Sequence, residues 1–326
     1  MAAHRIMVHQ HGGPEVLRYE EYDVPDPGPG EALVRHEAIG LNFIDVYFRT
    51  GAYPSASLPF TLGMEGAGVV EAVGAGVTDL SPGQRVAYAA PPNGAYADRR
   101  VMPADKLVPL PDAISFETAA AMMLKGMTAQ YLLRQTCPVK PGDTVLFHAA
   151  AGGVGLIFGQ WAKHLGATTI GTVGSPEKAE LAKAHGYDHV IDYKREDFVA
   201  RVKEITGGEG VPVVYDGVGQ ATFLKSLDCL RPCGMGVSFG SASGPVESFN
   251  LGVLSAKGSL FVTRPTLMTY TRTRPLLLAC ANDLFDVVAK GAVKIEIRQR
   301  FPLAEAAAAH RALEGRETTG STLLIP

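Results

Sequence analysis

The chain has 326 residues, too many for one small core, so two domains are the natural expectation. Hydrophobic residues make up 46% and charged residues 19%, a globular rather than a disordered composition. A net charge of −3 without any block of five Lys or Arg argues against a nucleic-acid footprint, and no apolar run reaches the roughly 18 residues of a membrane helix.

The opening MAAHRIMVHQHGG lacks the apolar centre of a signal peptide. The first 125 or so residues are rich in Gly, Pro and short alternating runs. EALVRHEAIGLN and GAGVVEAVGAGV, bounded by the turn signals PDPGPG and SPGQ, predict an irregular, mostly β domain. Within it NFIDVYFRTG, residues 42–51, predicts a short helix closed by Gly51.

From about residue 127 the period changes. The apolar run DTVLFHAA leads through a glycine-rich turn into GLIFGQWAKHLG, a helix expected to end at Gly166. TTIGTV, PEKAELAKAHG, DHVIDY, EDFVARVKEITGG, VPVVYDG, QATFLKSLDCL and GMGVSFG follow, strands alternating with helices of about three turns. Pro176 stands where a first-turn proline belongs. The alternation predicts a parallel, doubly wound α/β sheet. After GSLFVTR come a long helix near 274–290, a strand, LAEAAAAHRALEG and a final strand GSTLLIP, expected to return to the first domain.

The turn HAAAGGVG, residues 148–155, carries the chemistry of a dinucleotide site. Against G-x-G-x-x-G it has Ala150, Gly152 and Gly155. Gly152, Gly153 and Val154 open a helix whose N-terminal amides favour phosphate, and Gly155 permits close packing of helix on strand. The carboxylate that usually binds a ribose 2′-hydroxyl at the end of the second strand is missing: the slot reads Val173-Gly174-Ser175, with Lys178 a turn later. A carboxylate there would repel a 2′-phosphate by about 4 kcal/mol at 4 Å and an effective dielectric near 20. Its replacement by Gly174, a hydroxyl from Ser175 and a cation from Lys178 predicts NADPH, with Tyr193 placed to stack on adenine or bond the phosphate. Strand carboxyl ends put Gly217 and Val218, then Phe239, Gly240 and Ser241, at the ligand crevice, and Arg264 and Arg316 are further cations for the cofactor. Lys178, Arg264 and Arg316 also have the ordinary reading of solvated surface cations.

HGGPEVL (11–17), GLNFIDVYFRTGAYP (40–54), LGMEGAGVVEAVG (62–74), KGMTAQYLL (125–133), HAAAGGVG, VVYDGVG (213–219) and GSLFVTRP (258–265) together resemble the medium-chain dehydrogenase/reductases, and within them the zinc-free quinone oxidoreductases. The resemblance implies a GroES-like catalytic domain, residues 1–126 and 265–326, a Rossmann domain, residues 127–264, and an NADPH cleft at their junction. It implies a cleft lined by Asn42, Asp45, Tyr47 and Tyr53, with Lys125 and Thr128 as contacts to the cofactor. The two tyrosines would stack on a flat ring and donate a hydrogen bond to a carbonyl; core packing and local capping are the ordinary roles of such residues. Zinc-bearing relatives have Cys and His where this chain has Asn42 and Met64, a third ligand near Leu124, and a four-cysteine lobe where residues 90–115 contain no Cys. Loss of those ligands implies a metal-free reaction on an acceptor that delocalises the incoming electrons, a quinone or another conjugated carbonyl.

The four cysteines, Cys137, Cys229, Cys233 and Cys280, form no C-x-x-C pair, which fits a reducing, cytoplasmic compartment. His148, His185 and His189 read as structural or solvated. The segment 246–264 ends in an edge strand, and its pairing across a two-fold axis predicts a homodimer. Reduction of α,β-unsaturated aldehydes or ketones, and a non-enzymatic crystallin-like role in binding NADPH or RNA, are the alternatives to quinone reduction.

Overall fold

The structure is a computed structural model and describes residues 2–53 and 57–326. Two compact units emerge: Met1–Met127 with Thr271–Ala289 and Ile295–Pro326, and Thr128–Tyr270 with Lys290–Lys294.

The first unit is mostly β. Strands β1 (Ala2–Val8), β2 (Leu17–Asp23), β3 (Glu31–Leu41), β4 (Phe60–Thr61), β5 (Glu65–Val73), β6 (Arg85–Ala89), β7 (Arg99–Pro103) and β8 (Val108–Pro109) precede helix α2 (Phe116–Tyr131). Helix α1 (Phe43–Thr50) lies between β3 and β4. Gly51 closes it in the left-handed conformation, φ +80°, as a C-terminal glycine should. α9 (Arg274–Ala289), β15 (Ile297–Pro302), α10 (Ala306–Glu314) and β16 (Ser321–Ile325) complete this unit. β16 pairs antiparallel with β3, so the tail does return to the first sheet. The sheet runs β15-β16-β3-β5-β6-β8, with β7 also on β3; β2-β1-β4 forms a small second sheet. Ile6, Val34, Ile39, Leu62, Val86, Tyr96 and Leu324 are among the side chains of its apolar core.

The second unit alternates β9 (Thr144–His148), α3 (Gly153–His164), β10 (Thr168–Val173), α4 (Pro176–Ala184), β11 (His189–Asp192), α5 (Phe198–Ile205) and β12 (Val211–Asp216). α6 (Phe223–Ser226), β13 (Leu230–Ser238), α7 (Gly252–Ala256), β14 (Phe261–Thr263) and α8 (Leu267–Tyr270) follow. All its strand pairs are parallel, in the order β11-β10-β9-β12-β13-β14. In sequence rank this is 3-2-1-4-5-6, the doubly wound Rossmann order, with the switch of direction beside β9. Leu146, Ile170, Ile191, Val202, Val214 and Phe223 fill the core against the helices.

One helix is shorter than its pattern. QATFLKSLDCL yields only the single turn α6 and a 3-10 turn, Leu227–Cys229, before β13 begins at Leu230. Pro232 disfavours helical conformation at Arg231 and cannot donate to a helical ladder, so the chain extends early.

Close approach of α3 to β9 requires Gly155: a methyl there would lie 2.5 Å from the carbonyl oxygens of Ala149 and Ala150. Gly155→Ala is expected to cost about 1–3 kcal/mol, seen in urea unfolding as a lower midpoint at unchanged slope.

Candidate active site

In the first unit the candidate residues gather where β3 runs into α1. Asn42 is the N-cap of α1, and the carboxylate of Asp45, at the third helical position, accepts its backbone N–H at 2.9 Å. Asp45 is fully buried; the same Oδ2 accepts the Tyr96 hydroxyl at 2.9 Å, and among the described residues Oδ1 has no hydrogen-bond partner. The expected cleft-lining carboxylate is therefore enclosed behind the cap.

Its surroundings fix a proton direction. Arg49 only donates, so His310 Nδ1, 3.0 Å from Arg49 Nη1, is an acceptor. Burial, with Arg49 adding to it, pushes the His310 pKa down to about 3, so the ring is neutral and carries its proton on Nε2. That N–H donates to the Tyr96 oxygen at 3.1 Å, and Tyr96 donates on to Asp45. Arg49 in turn makes two hydrogen bonds to Glu314 at the end of α10, 2.8 and 2.7 Å. Arg316 follows two residues later with φ +59°.

Asn42 Nδ2 donates to Glu65 Oε2 at 2.7 Å, while Lys125 Nζ lies 3.6 Å from that oxygen and donates to the Leu41 carbonyl at 3.2 Å. Tyr47 and Tyr53 are half-buried neighbours, ring centroids 5.0 Å apart at 47°. Their placement is that of a partly exposed aromatic pair rather than core filling.

In the second unit two groups form at strand carboxyl ends. After β10, Ser175 caps α4 by accepting the Lys178 backbone N–H, placing Lys178 in the first turn. A methyl on Gly174 would come 2.7 Å from the Tyr193 hydroxyl, so Tyr193 lies over bare backbone while remaining 41% exposed. After β12, Asp216 Oδ1 accepts the N–H groups of Val218 and Gly219 at 2.8 and 2.9 Å and so shapes the turn that bears Gly217. A methyl on Gly217 would lie 2.8 Å from the Phe239 ring, and one on Gly240 2.5 Å from the Gly217 carbonyl oxygen. Arg264 docks on the same place, donating to the Ser238 carbonyl and reaching Ser241 Oγ. Gly152 is the N-cap of α3, with Gly153 and Val154 in its first turn; Thr128 is buried in α2.

Two contributors escaped the sequence reading. Glu65 joins Asn42 to Lys125, and Asp216, fully buried, organises the Gly217 turn; His148, read as structural or solvated, is buried and structural, linking Thr172 to Ser226, which donates to Asp216. The Asp-Gly-Val-Gly run after an apolar strand was the one legible signal among them, since Asp commonly accepts N–H groups two and three residues on.

The residues after β9 and β10 suit a dinucleotide with a 2′-phosphate: a helix N-terminus without a side chain at its cap, bare backbone at Gly174, and Ser175, Lys178 and Tyr193 grouped without any carboxylate in the slot.

Residues 28–112 match the alcohol dehydrogenase GroES-like domain, and residues 153–279 match the zinc-binding dehydrogenase family. The chain is 58% identical to a quinone oxidoreductase of Pseudomonas aeruginosa, over 99% of this chain and 100% of that one. The chain belongs to the quinone oxidoreductase family. A member from Escherichia coli, solved in complex with NADPH, superposes with a TM-score of 0.98 at 53% identity, over 99% of this chain and 100% of that one. A 2-haloacrylate reductase of a Burkholderia species is 49% identical over 98% of each chain. The zinc in the second domain's description does not bear on Asn42, Met64 or Leu124, which all lie outside residues 153–279. Among the described residues of this family member, no three His, Cys, Asp or Glu side chains converge as a metal site.

Burial raises the Asp45 pKa from 3.8 to about 7, against the lowering effect of its hydrogen bonds from Asn42 and Tyr96. The native carboxyl holds its proton where the unfolded one has lost it. Its contribution to stability is thus complete below the unfolded pKa of 3.8 and is lost as pH rises through about 7. Asp45→Asn, which keeps the acceptor and adds a donor where Oδ1 is orphaned, should remove this part of the decline. Unfolding free energies at pH 4.5 and 8 should differ less in the variant than in the parent protein.

Proposed function

We propose that this protein transfers reducing equivalents from NADPH to a quinone without a metal ion. The carrying observation is the group Gly174, Ser175, Lys178 and Tyr193 at the end of β10, which offers a 2′-phosphate a hydroxyl and a cation; the strand end itself has no carboxylate, and Glu177, in the first turn of α4, is exposed and engages the Ser175 hydroxyl. The NADPH complex of the E. coli relative supports the same reading. Gly152, Gly153 and Val154 would hold the pyrophosphate at the N-terminus of α3, and Gly217, Val218, Phe239, Gly240, Ser241 and Arg264 would flank the cofactor at the strand ends. Lys125, Thr128, Asn42 and Arg316 complete the set assigned to it. When bound, the nicotinamide supplies hydride.

The protein's own task is then positioning. Tyr47 and Tyr53 offer a face for a flat acceptor ring and hydroxyl donors for its carbonyl. Asp45 serves this site from behind, by holding the backbone of Asn42. The reduced oxygen of the acceptor can take its final proton from solvent, so neither tyrosine has to act as an acid. The metal-free reading rests on Asn42, Met64 and Leu124, none of which offers zinc a thiolate, imidazole or carboxylate, and on Glu65 being paired with Lys125. The 2-haloacrylate relative favours a second reading, in which the acceptor is a conjugated acid or carbonyl; the hydride donor and the positioning residues are unchanged.

A reducing compartment accords with four cysteines of which none is in a disulfide among the described residues, and no helix of the described residues is long and apolar enough to cross a membrane. We also assign β14 to a two-fold interface, because Phe261 and Val262 on this edge strand are 58% and 37% exposed.

Two outcomes test these assignments. NADPH should bind at least tenfold more tightly than NADH, as one charge-assisted contact is worth about 1.5–3 kcal/mol, and Lys178→Ala should weaken NADPH while sparing NADH. Equal weakening of both in a fluorescence titration would remove Lys178 from the phosphate. In sedimentation at micromolar concentration the protein should be a dimer, and Phe261→Glu should shift it towards monomer; a monomeric parent protein would refute the interface.

A further inference from the structure

Glu65 begins β5 and is fully buried in the first unit, yet three groups from two other elements, the cap of α1 and the interior of α2, converge on its carboxylate. Oε2 accepts the Asn42 side-chain amide at 2.7 Å and faces the Lys125 ammonium at 3.6 Å. Oε1 accepts the backbone N–H of Leu124 at 2.7 Å. Leu124 lies in the interior of α2, whose N–H groups ordinarily serve the helix itself, so Glu65 reaches the helix backbone as well as a side chain. The carboxylate also lies tightly against the chain. A methyl on Gly40 would be 2.2 Å from Oε2 and 2.3 Å from the Ala120 carbonyl oxygen, so only a glycine in β3 admits this contact.

We propose that Glu65 is a positioning residue of the active site: one buried carboxylate fixes the Asn42 amide and the Lys125 ammonium relative to each other and to α2. This rests on the assignment of Asn42 and Lys125 to the cofactor. The chemistry needs such a device. An ammonium on a four-carbon stem samples many rotamers, and an amide can flip, so neither presents a fixed donor unaided. Glu65 and the Leu41 carbonyl take two directions of the Lys125 ammonium and leave its third N–H for a ligand. By accepting from Asn42 Nδ2, Glu65 also fixes which end of the amide carries the oxygen. Burial raises the Glu65 pKa, while Lys125, Asn42 and the Leu124 N–H each oppose that rise.

A double-mutant cycle on the full-length protein tests this, using Glu65→Gln, Lys125→Met and the pair. The readouts are the NADPH dissociation constant by fluorescence, kcat and KM with 1,4-benzoquinone, and circular dichroism for folding. Glu65→Gln should weaken NADPH binding about tenfold with the quinone KM little changed. The double variant should lose clearly less than the product of the two single losses, because part of the effect of Glu65 passes through Lys125. If Glu65→Gln does not fold, Glu65→Asp takes its place. It keeps the charge but withdraws the carboxylate by one methylene, and should show the same dependence on Lys125. Normal NADPH binding in a folded Glu65 variant, with Lys125→Met impaired, would overturn the positioning role and leave the site assignment standing. Losses that multiply to about a hundredfold would overturn it as well, since the two residues would then act independently. A Lys125→Met protein indistinguishable from the parent would instead refute the assignment of Lys125 to the cofactor, and the positioning role with it.

Discussion

A carboxylate withdrawn from water must be met by donors or lose its charge, and among the described residues three are fully buried: Asp45 in the first turn of α1, Glu65 at the start of β5 and Asp216 at the end of β12. The backbone there cannot move freely without leaving a carboxylate oxygen unsatisfied. Asp45 ties the cap of α1 to Tyr96 and, through His310 and Arg49, to α10; Glu65 ties that cap to α2; Asp216 ties the Gly217 turn to Thr222 and Ser226.

Glycine spacing does the complementary work. At Gly40, Gly155, Gly217 and Gly240 a methyl group would collide with a carboxylate, a carbonyl or an aromatic ring. Each marks a close approach between elements rather than a flexible hinge. In a reaction where the acceptor itself takes up the electrons, holding two flat molecules in register is the main demand on the protein. Close-packed backbone at the strand ends meets that demand with few moving side chains.

Much of the architecture was legible. Strands and helices from β9 to β12 follow the apolar runs and their Gly and Pro boundaries closely, because a buried parallel strand must be continuously apolar and its covering helix amphipathic. The α1 helix with its Gly51 stop, the cofactor turn and the return of the tail to the first sheet were legible for similar reasons. α6 was not: its composition is helical, but Pro232 and the demands of β13 cut it to one turn.

What the sequence determined by itself is local: periods of burial, caps, turns, and the chemistry present or missing at the end of β10. Those depend on neighbours within a few residues. Partnerships across the fold came only with the tertiary structure. Asp45 had the outward marks of a cleft residue but is enclosed behind Tyr96, 51 residues away in sequence; Glu65 was not among the expected site residues, and only α2 brings Lys125 to it. His148 lacked an acid nearby in sequence and gained one through Ser226. A side chain's charge and role depend on which donors share its low-dielectric surroundings, and only the packing of distant segments decides that.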